Sequence, residues 1–248
     1  MIRLNRPDAP PVLSPVFVAE GVARFALDGS AVWNVDEIKR ALSELSSGKC
    51  AYCEVRLGEG PAYLEVEHFY AKGHYPGRVL AWENLLPACR RCNAKKGDWD
   101  VAPAGQMMVD PTIMAPPIHI QLDEAYRPLG RTPVGEITIL EIGLDDIDRL
   151  GVKRYKIGEA FKRKLEDLLD RYVSLPVNAS LHRRRGVVRA VRDAVAKAGS
   201  DAPFSAVIAT VMTRSPAYAA LKAAMEAAGD WSAELRAADD IATAASLT

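Results

Sequence analysis

All four cysteines of this chain fall in two C-x-x-C doublets, Cys50 with Cys53 and Cys89 with Cys92. Thiolates two residues apart on a tight knuckle can take two corners of a tetrahedron, so the two doublets predict one structural zinc site. Such a site ties together segments far apart in sequence and constrains everything between them. The enclosed stretch contains Glu67-His68 and Asn84, and Asn93 directly follows the last cysteine. Oxygen and imidazole donors nested inside a closed sulfur site predict a second, open metal site.

With 248 residues, 49% hydrophobic and 26% charged, the chain can bury a sizeable core and has the balance of an ordinary globular protein. No apolar run approaches the ~18 residues that span a bilayer, and the opening MIRLNRPDAPP lacks the apolar stretch of a signal peptide. A cytoplasmic location without membrane contact is expected, and in a reducing compartment close cysteine pairs favour metal over disulfides. A formal net charge of zero argues against coating nucleic acid over the whole surface, since such affinity rests on neutralised phosphates. Contact must come from local patches. Arg90, Arg91, Lys95 and Lys96, beside the second doublet, are the substrate-binding candidates; other basic clusters lie at 153–156, 162–164 and 183–185.

Asn34-Val35-Asp36-Glu37 has the form of a capping box, with Trp33 and Ile38 as its hydrophobic staple. Ile38, Leu42 and Leu45 then recur at helical spacing, predicting a helix over about 35–46 that ends at Gly48. Residues 62–69 alternate as a strand does, with Leu64, Val66 and His68 on one face. Strict alternation sends Glu67 and His68 to opposite faces, so a site using both requires the strand to end, twist or bulge there. A loop is expected over 73–78, an ordered segment from Asn84, and a brief helix over 93–96 stopped by Gly97. Residues 101–135 are rich in proline, and 136–142, EITILEI, read as a strand ended by Gly143. Helices are expected over about 147–173, 184–198, 203–213, 216–228 and 231–245. The expected class is α+β in four parts: an N-terminal arm and helix (1–48), a core (49–100), a connection with a strand (101–145) and a helical region (146–248).

Phosphodiester hydrolysis needs a nucleophilic water, a base to take its proton, and a Lewis acid to stabilise charge on phosphate and leaving oxygen. His68 suits the base, because neutral imidazole accepts a proton near neutral pH. Glu67 and Asn93 offer oxygen to a hard cation such as Mg²⁺ or Mn²⁺, which keeps several waters and uses few protein ligands. Lys95 or Lys96 could hold the phosphate, while Asn84 suits fixing a loop through its amide so that His68 is aimed at the water.

CAYC, LEVEHF, Asn84 in WENLLPAC, and CRRCNAKKG together resemble the HNH endonuclease motif with flanking zinc knuckles, over about residues 49–97. The resemblance implies a ββα-metal core: a hairpin carrying Glu67-His68, then a helix carrying the last metal ligand. It implies Glu67 as metal ligand, His68 as general base, Asn84 as loop support and Asn93 as terminal metal ligand. The sequence departs from the family in having Glu where Asp is commoner before the base, and Asn rather than His at the end; both keep an oxygen donor. MIRLNRP, GKCAYCE, VEHFYAK, VDP before His119, and GEITILEIGLD extend the likeness to the HNH proteins of Septu-type and retron-associated anti-phage systems. That likeness implies an ATPase partner and a nucleic-acid substrate, with DNA placed ahead of RNA.

A zinc deaminase also joins C-x-x-C to His and Glu, but it uses H-x-E and P-C-x-x-C, whereas here Glu67 precedes His68 and Ala88 separates Pro87 from Cys89. The alternative from a different class is a noncatalytic zinc module that binds nucleic acid or a partner protein. His74 could touch substrate from its loop, His119 could support the fold, and His182 leads an arginine run suited to phosphate.

Overall fold

The computed structural model describes residues 1–58, 63–176, 178–199 and 201–248. They form two compact units, residues 1–120 with 129–145, and residues 121–128 with 146–248.

In the first unit, α1 (Pro15–Asp28) starts at Ser14, whose hydroxyl accepts from Phe17 N, and ends at Gly29 with φ +72°. Next comes α2 (Asp36–Leu45), which buries Ile38, Leu42 and Leu45. Its cap is Val35 and carries no side-chain hydrogen bond, so the Asn34 capping box is not formed. The strand β1 (Leu64–His68) pairs antiparallel with β2 (Leu85–Cys89), with Val66 opposite Pro87 and His68 opposite Leu85. Every residue of β2 is buried, as the sequence LLPAC requires of a strand covered on both faces. Directly after it, α3 (Arg90–Lys96) completes a ββα unit and stops at Gly97, whose φ of +53° favours glycine.

The small β element lies further on. A single turn, α4 (Pro116–His119), precedes β3 (Ile120–Leu122), which pairs with β4 (Pro128–Gly130). The strand expected over 136–142 is instead the helix α5 (Pro133–Ile142). Thr132 caps it by accepting from Gly135 N, Pro133 occupies its first turn, and Gly143 closes it at φ +66°. Buried Gly135, Thr138, Ile139 and Ile142 lie at helical spacing, so end signals and burial override the β-branched composition.

The second unit is helical. A wide turn at Ile147–Gly151, capped by Asp146, leads into α6 (Val152–Val173). Then come α7 (Leu181–Val195), α8 (Ser205–Arg214), α9 (Pro216–Ala227) and α10 (Ala233–Ala245). The core helix is α8, with residues 205–212 all buried. Asp230 accepts from Tyr172 Oη at 2.6 Å and Arg184 Nε at 2.7 Å. Asp239 accepts from Tyr218 Oη at 2.7 Å and Lys222 Nζ at 2.6 Å. No helix among the described residues is long and apolar enough to cross a membrane. The class is α+β, with a ββα core and a mainly helical C-terminal region.

Candidate active site

The two cysteine doublets meet. Their four sulfurs, all buried, lie within 4.8 Å of one another. Cys53 and Cys89 Sγ are 3.8 Å apart, matching the ~3.8 Å edge of a tetrahedron with ~2.3 Å zinc–sulfur bonds. Hydrogen bonds from Cys50, Cys53 and Cys92 drive the Cys89 thiol far below its ordinary value, while burial pushes the Cys50 thiol well above its own. The first knuckle turns through Gly48 at φ +71° and Glu54 at φ +62°, and Ala51 N bonds Pro87 O, tying it to β2. The four-cysteine site fits zinc and fastens the start of α3 to the hairpin.

β1 is regularly paired through its last residue, His68, so alternation puts the buried His68 ring on the face opposite Glu67. His68 Nε2 donates to Val79 O at 3.0 Å, and its ring meets Trp33 edge-on at 4.5 Å between centroids. A carbonyl only accepts, so Nε2 carries the proton and Nδ1 of the neutral ring keeps its lone pair. Burial pushes the His68 pKa down to about 4; the Val79 bond opposes this, and the ammoniums of Lys72 and Lys96 add to it.

Asn84 controls the segment that supplies Val79. Fully buried, it accepts from Tyr70 N at 2.7 Å and donates to Tyr70 O and Arg78 O, both at 3.1 Å. One amide thus pins both ends of the 70–78 loop, next to the carbonyl that orients His68.

Glu67 and Lys96 form a buried ion pair, Oε1 to Nζ 2.9 Å, with side-chain exposures of 2% and 0%. Lys96 also donates to His68 O at 2.8 Å, and Tyr52 Oη donates to Glu67 Oε1 at 3.3 Å. Desolvation raises the Glu67 pKa against the opposing pull of Lys96 and Tyr52. Lys96, expected on the substrate side, is therefore an internal group that braces the end of β1. Lys95, Arg90 and Arg91 are exposed.

A cleft of about 210 Å³ is lined by Trp33, Asn34, Lys39, Leu64, Glu65, Val66, Lys72 and Asn93; of the expected site residues it contains Asn93 but neither Glu67 nor His68, which are buried. Asn93 is half-buried, and its Nδ2 donates to Glu65 Oε2 at 2.8 Å. Lys72 Nζ lies 5.7 Å from the centre of the Trp33 ring. Asn93 and Glu67 carry oxygen donors of the kind a hard divalent cation takes; Asn93 lines the cleft, and both polar contacts of buried Glu67 fall on Oε1. Sequence reasoning missed Glu65, Lys39, Lys72 and Trp33. Glu65 could have been found, because two-residue alternation puts it on the strand face of Glu67.

The other histidines lie elsewhere. His74 is exposed, with Nε2 bonded to Asp98 O at 3.1 Å, and His119 Nδ1 bonds Thr132 Oγ1 at 2.8 Å at the start of α5. His182 is exposed on α7. A cavity of about 470 Å³ in the second unit, lined by Asp170, Arg171, Ser174, Leu175, Arg183, Gly186 and Val187, contains none of the catalytic candidates.

Residues 50–98 match the HNH endonuclease family. The chain is 34% identical to the Septu protein PtuB of Bacillus thuringiensis, over 94% of this chain and 90% of the relative. It is 35% identical to the Septu protein PtuB of Bacillus mycoides (strain KBAB4) over a shorter stretch, 23% of this chain and 24% of the relative. A zinc-fitting cysteine cluster, a ββα core with its histidine at the end of a strand, and similarity along nearly the whole length agree: the chain belongs to the Septu PtuB family and carries an HNH endonuclease domain.

Proposed function

We propose that the chain is a metal-dependent HNH endonuclease that hydrolyses phosphodiester bonds in DNA, as the cytoplasmic effector of an anti-phage system working with an ATPase partner. The observation that carries this reading is the state of His68, whose Nε2 is committed to Val79 O and whose Nδ1 is left as an acceptor. In this reading Nδ1 takes a proton from water as that water attacks phosphorus in line with the leaving 3′ oxygen. The P–O3′ bond breaks, the leaving oxygen takes a proton from solvent, and the products carry a 5′ phosphate and a 3′ hydroxyl. Asn84 keeps the 70–78 loop, and with it the Val79 carbonyl, in place. Glu67 and Asn93 would hold Mg²⁺ or Mn²⁺, which when bound supplies Lewis acidity at the phosphate. Lys39 and Lys72, both lining the cleft, would hold flanking phosphates, joined by exposed Arg90, Arg91 and Lys95.

The test incubates purified protein, alone and co-expressed with an ATPase partner, with plasmid, phage DNA and total RNA under Mg²⁺, Mn²⁺ and chelator. Cation-dependent cutting of DNA that disappears in His68→Ala, with zinc content and folded signal retained, supports the proposal. Unchanged protection of cells by His68→Ala would favour a noncatalytic zinc module. End-labelling that finds 5′ hydroxyls would reject cleavage of the P–O3′ bond.

A further inference from the structure

Asn93 is useful to a cation through one atom only. Its amide carries an oxygen that can coordinate and a nitrogen that cannot, so the value of the residue depends on which end faces the site. Asn93 stands on α3, which packs against β1, and its Nδ2 lies 2.8 Å from Glu65 Oε2. Ionised carboxylate oxygens only accept, so this contact requires the nitrogen toward Glu65 and turns Oδ1 the other way. Both residues line the same cleft, together with Lys39 and Lys72.

The strand geometry explains why Glu65 can do this. β1 is regularly paired from Leu64 to His68, so Glu65 and Glu67 leave the strand on one face. Along α3, Asn93 and Lys96 are three apart and also share a face. The two carboxylates meet the two helix residues one to one: Glu67 with Lys96 at 2.9 Å, Glu65 with Asn93 at 2.8 Å. The Glu67 pair is shut away from solvent, whereas Glu65 and Asn93 are half-buried at the wall of the cleft.

We infer that Glu65 is a positioning residue which fixes the amide of Asn93 with its oxygen toward the cation site. The inference rests on the HNH reading above for the role of Asn93, and adds a residue to it. An amide with no such partner samples two orientations, only one of which coordinates. Outer partners of this kind are worth roughly 10–100-fold in metal affinity.

The experiment measures Mn²⁺ binding by electron paramagnetic resonance in the full-length His68→Ala protein, which separates cation affinity from turnover. Glu65→Leu, which keeps bulk but cannot accept, is expected to weaken Mn²⁺ binding at least tenfold. Its thermal midpoint should be close to that of its parent. Glu65→Gln, able to accept through its own carbonyl, is expected to recover part of the loss. The decisive arm is the pair: Glu65→Leu added to Asn93→Ala should cost nothing further, because Glu65 acts through Asn93. Unchanged affinity in Glu65→Leu, or a further tenfold loss in the double variant, overturns the inference. Unchanged affinity in Asn93→Ala alone would instead remove Asn93 from the cation site and so sink the ligand assignment on which the inference rests.

Discussion

Lys96→Met tests the charge arrangement under the proposed active site. The Lys96 ammonium is enclosed, donating to His68 O at 2.8 Å and pairing with Glu67 Oε1 at 2.9 Å. Methionine keeps the aliphatic length and removes both contacts, so Glu67 becomes a buried carboxylate whose one remaining polar contact is Tyr52 Oη at 3.3 Å. Losing one member of a buried pair costs about 3–5 kcal/mol, because the surviving charge is stranded. An exposed pair such as Lys164 with Asp167 would cost under about 1 kcal/mol. With ~2.1 cal/mol/K of unfolding entropy per residue, the buried loss lowers the midpoint of a unit as long as the first by about 10–17 °C.

Thermal unfolding followed by circular dichroism, with zinc retained and no Mg²⁺ or Mn²⁺ added, reads this directly. Glu67→Gln in the Lys96→Met background removes the stranded charge and should restore more than half of the lost midpoint. The pH dependence has a definite sign. Burial already raises the Glu67 pKa above its unfolded value, and deleting Lys96 removes the main opposing charge. The penalty is therefore full above the folded pKa and shrinks as pH falls through it, so acidification narrows the gap to wild type. A midpoint within about 3 °C of wild type, no rescue by Glu67→Gln, or a gap that widens in acid would refute the reasoning.

Other outcomes are expected around the same site. Asn84→Ala leaves Tyr70 N, Tyr70 O and Arg78 O without their partner, so chemical denaturation should show a loss of about 3 kcal/mol or more, with cleavage reduced as Val79 shifts. Because His68 in the fold takes a proton only near pH 4, cleavage should stay level down to about pH 5 and then fall; an acid limb near 6.5 would contradict its burial. The same depressed value means stability declines as pH drops from 6.5 toward 4 and levels below, which acid titration of unfolding against His68→Ala would detect. Lys39→Ala and Lys72→Ala should each flatten the log affinity against log salt plot for duplex DNA by about 0.9, while buried Lys96→Met leaves the slope alone. Metal analysis should find zinc in the purified protein, and Cys92→Ser should release it and lower the midpoint of the first unit.

The four-cysteine cluster was legible because its spacing carries the geometry: each C-x-x-C doublet can take two corners of a tetrahedron. The helix at α2 and the alternation of β1 were equally open to reading, since each repeats an apolar residue at its own period. EITILEI was not, because Ile and Thr fit strand or helix, and only the pairing of Thr132-Pro133 with Gly143 decides for α5. A single apolar run carries no period strong enough to outvote its ends.

Lys96 was misplaced for a subtler reason, and the correction is available from the chain alone. Adjacent lysines on a helix point about 100° apart, so Lys95 and Lys96 cannot both face solvent equally once the phase is known. Cys92 fixes that phase, because its sulfur joins the buried cluster, and Lys96 lies one turn further on the same side. An inward lysine demands a carboxylate, and β1 supplies Glu67. The same phase turns Asn93 toward the next acidic position on that strand face, which is Glu65. The four-cysteine cluster thus sets the rotation of α3, and that rotation decides which carboxylate is neutralised inside and which one faces the cleft.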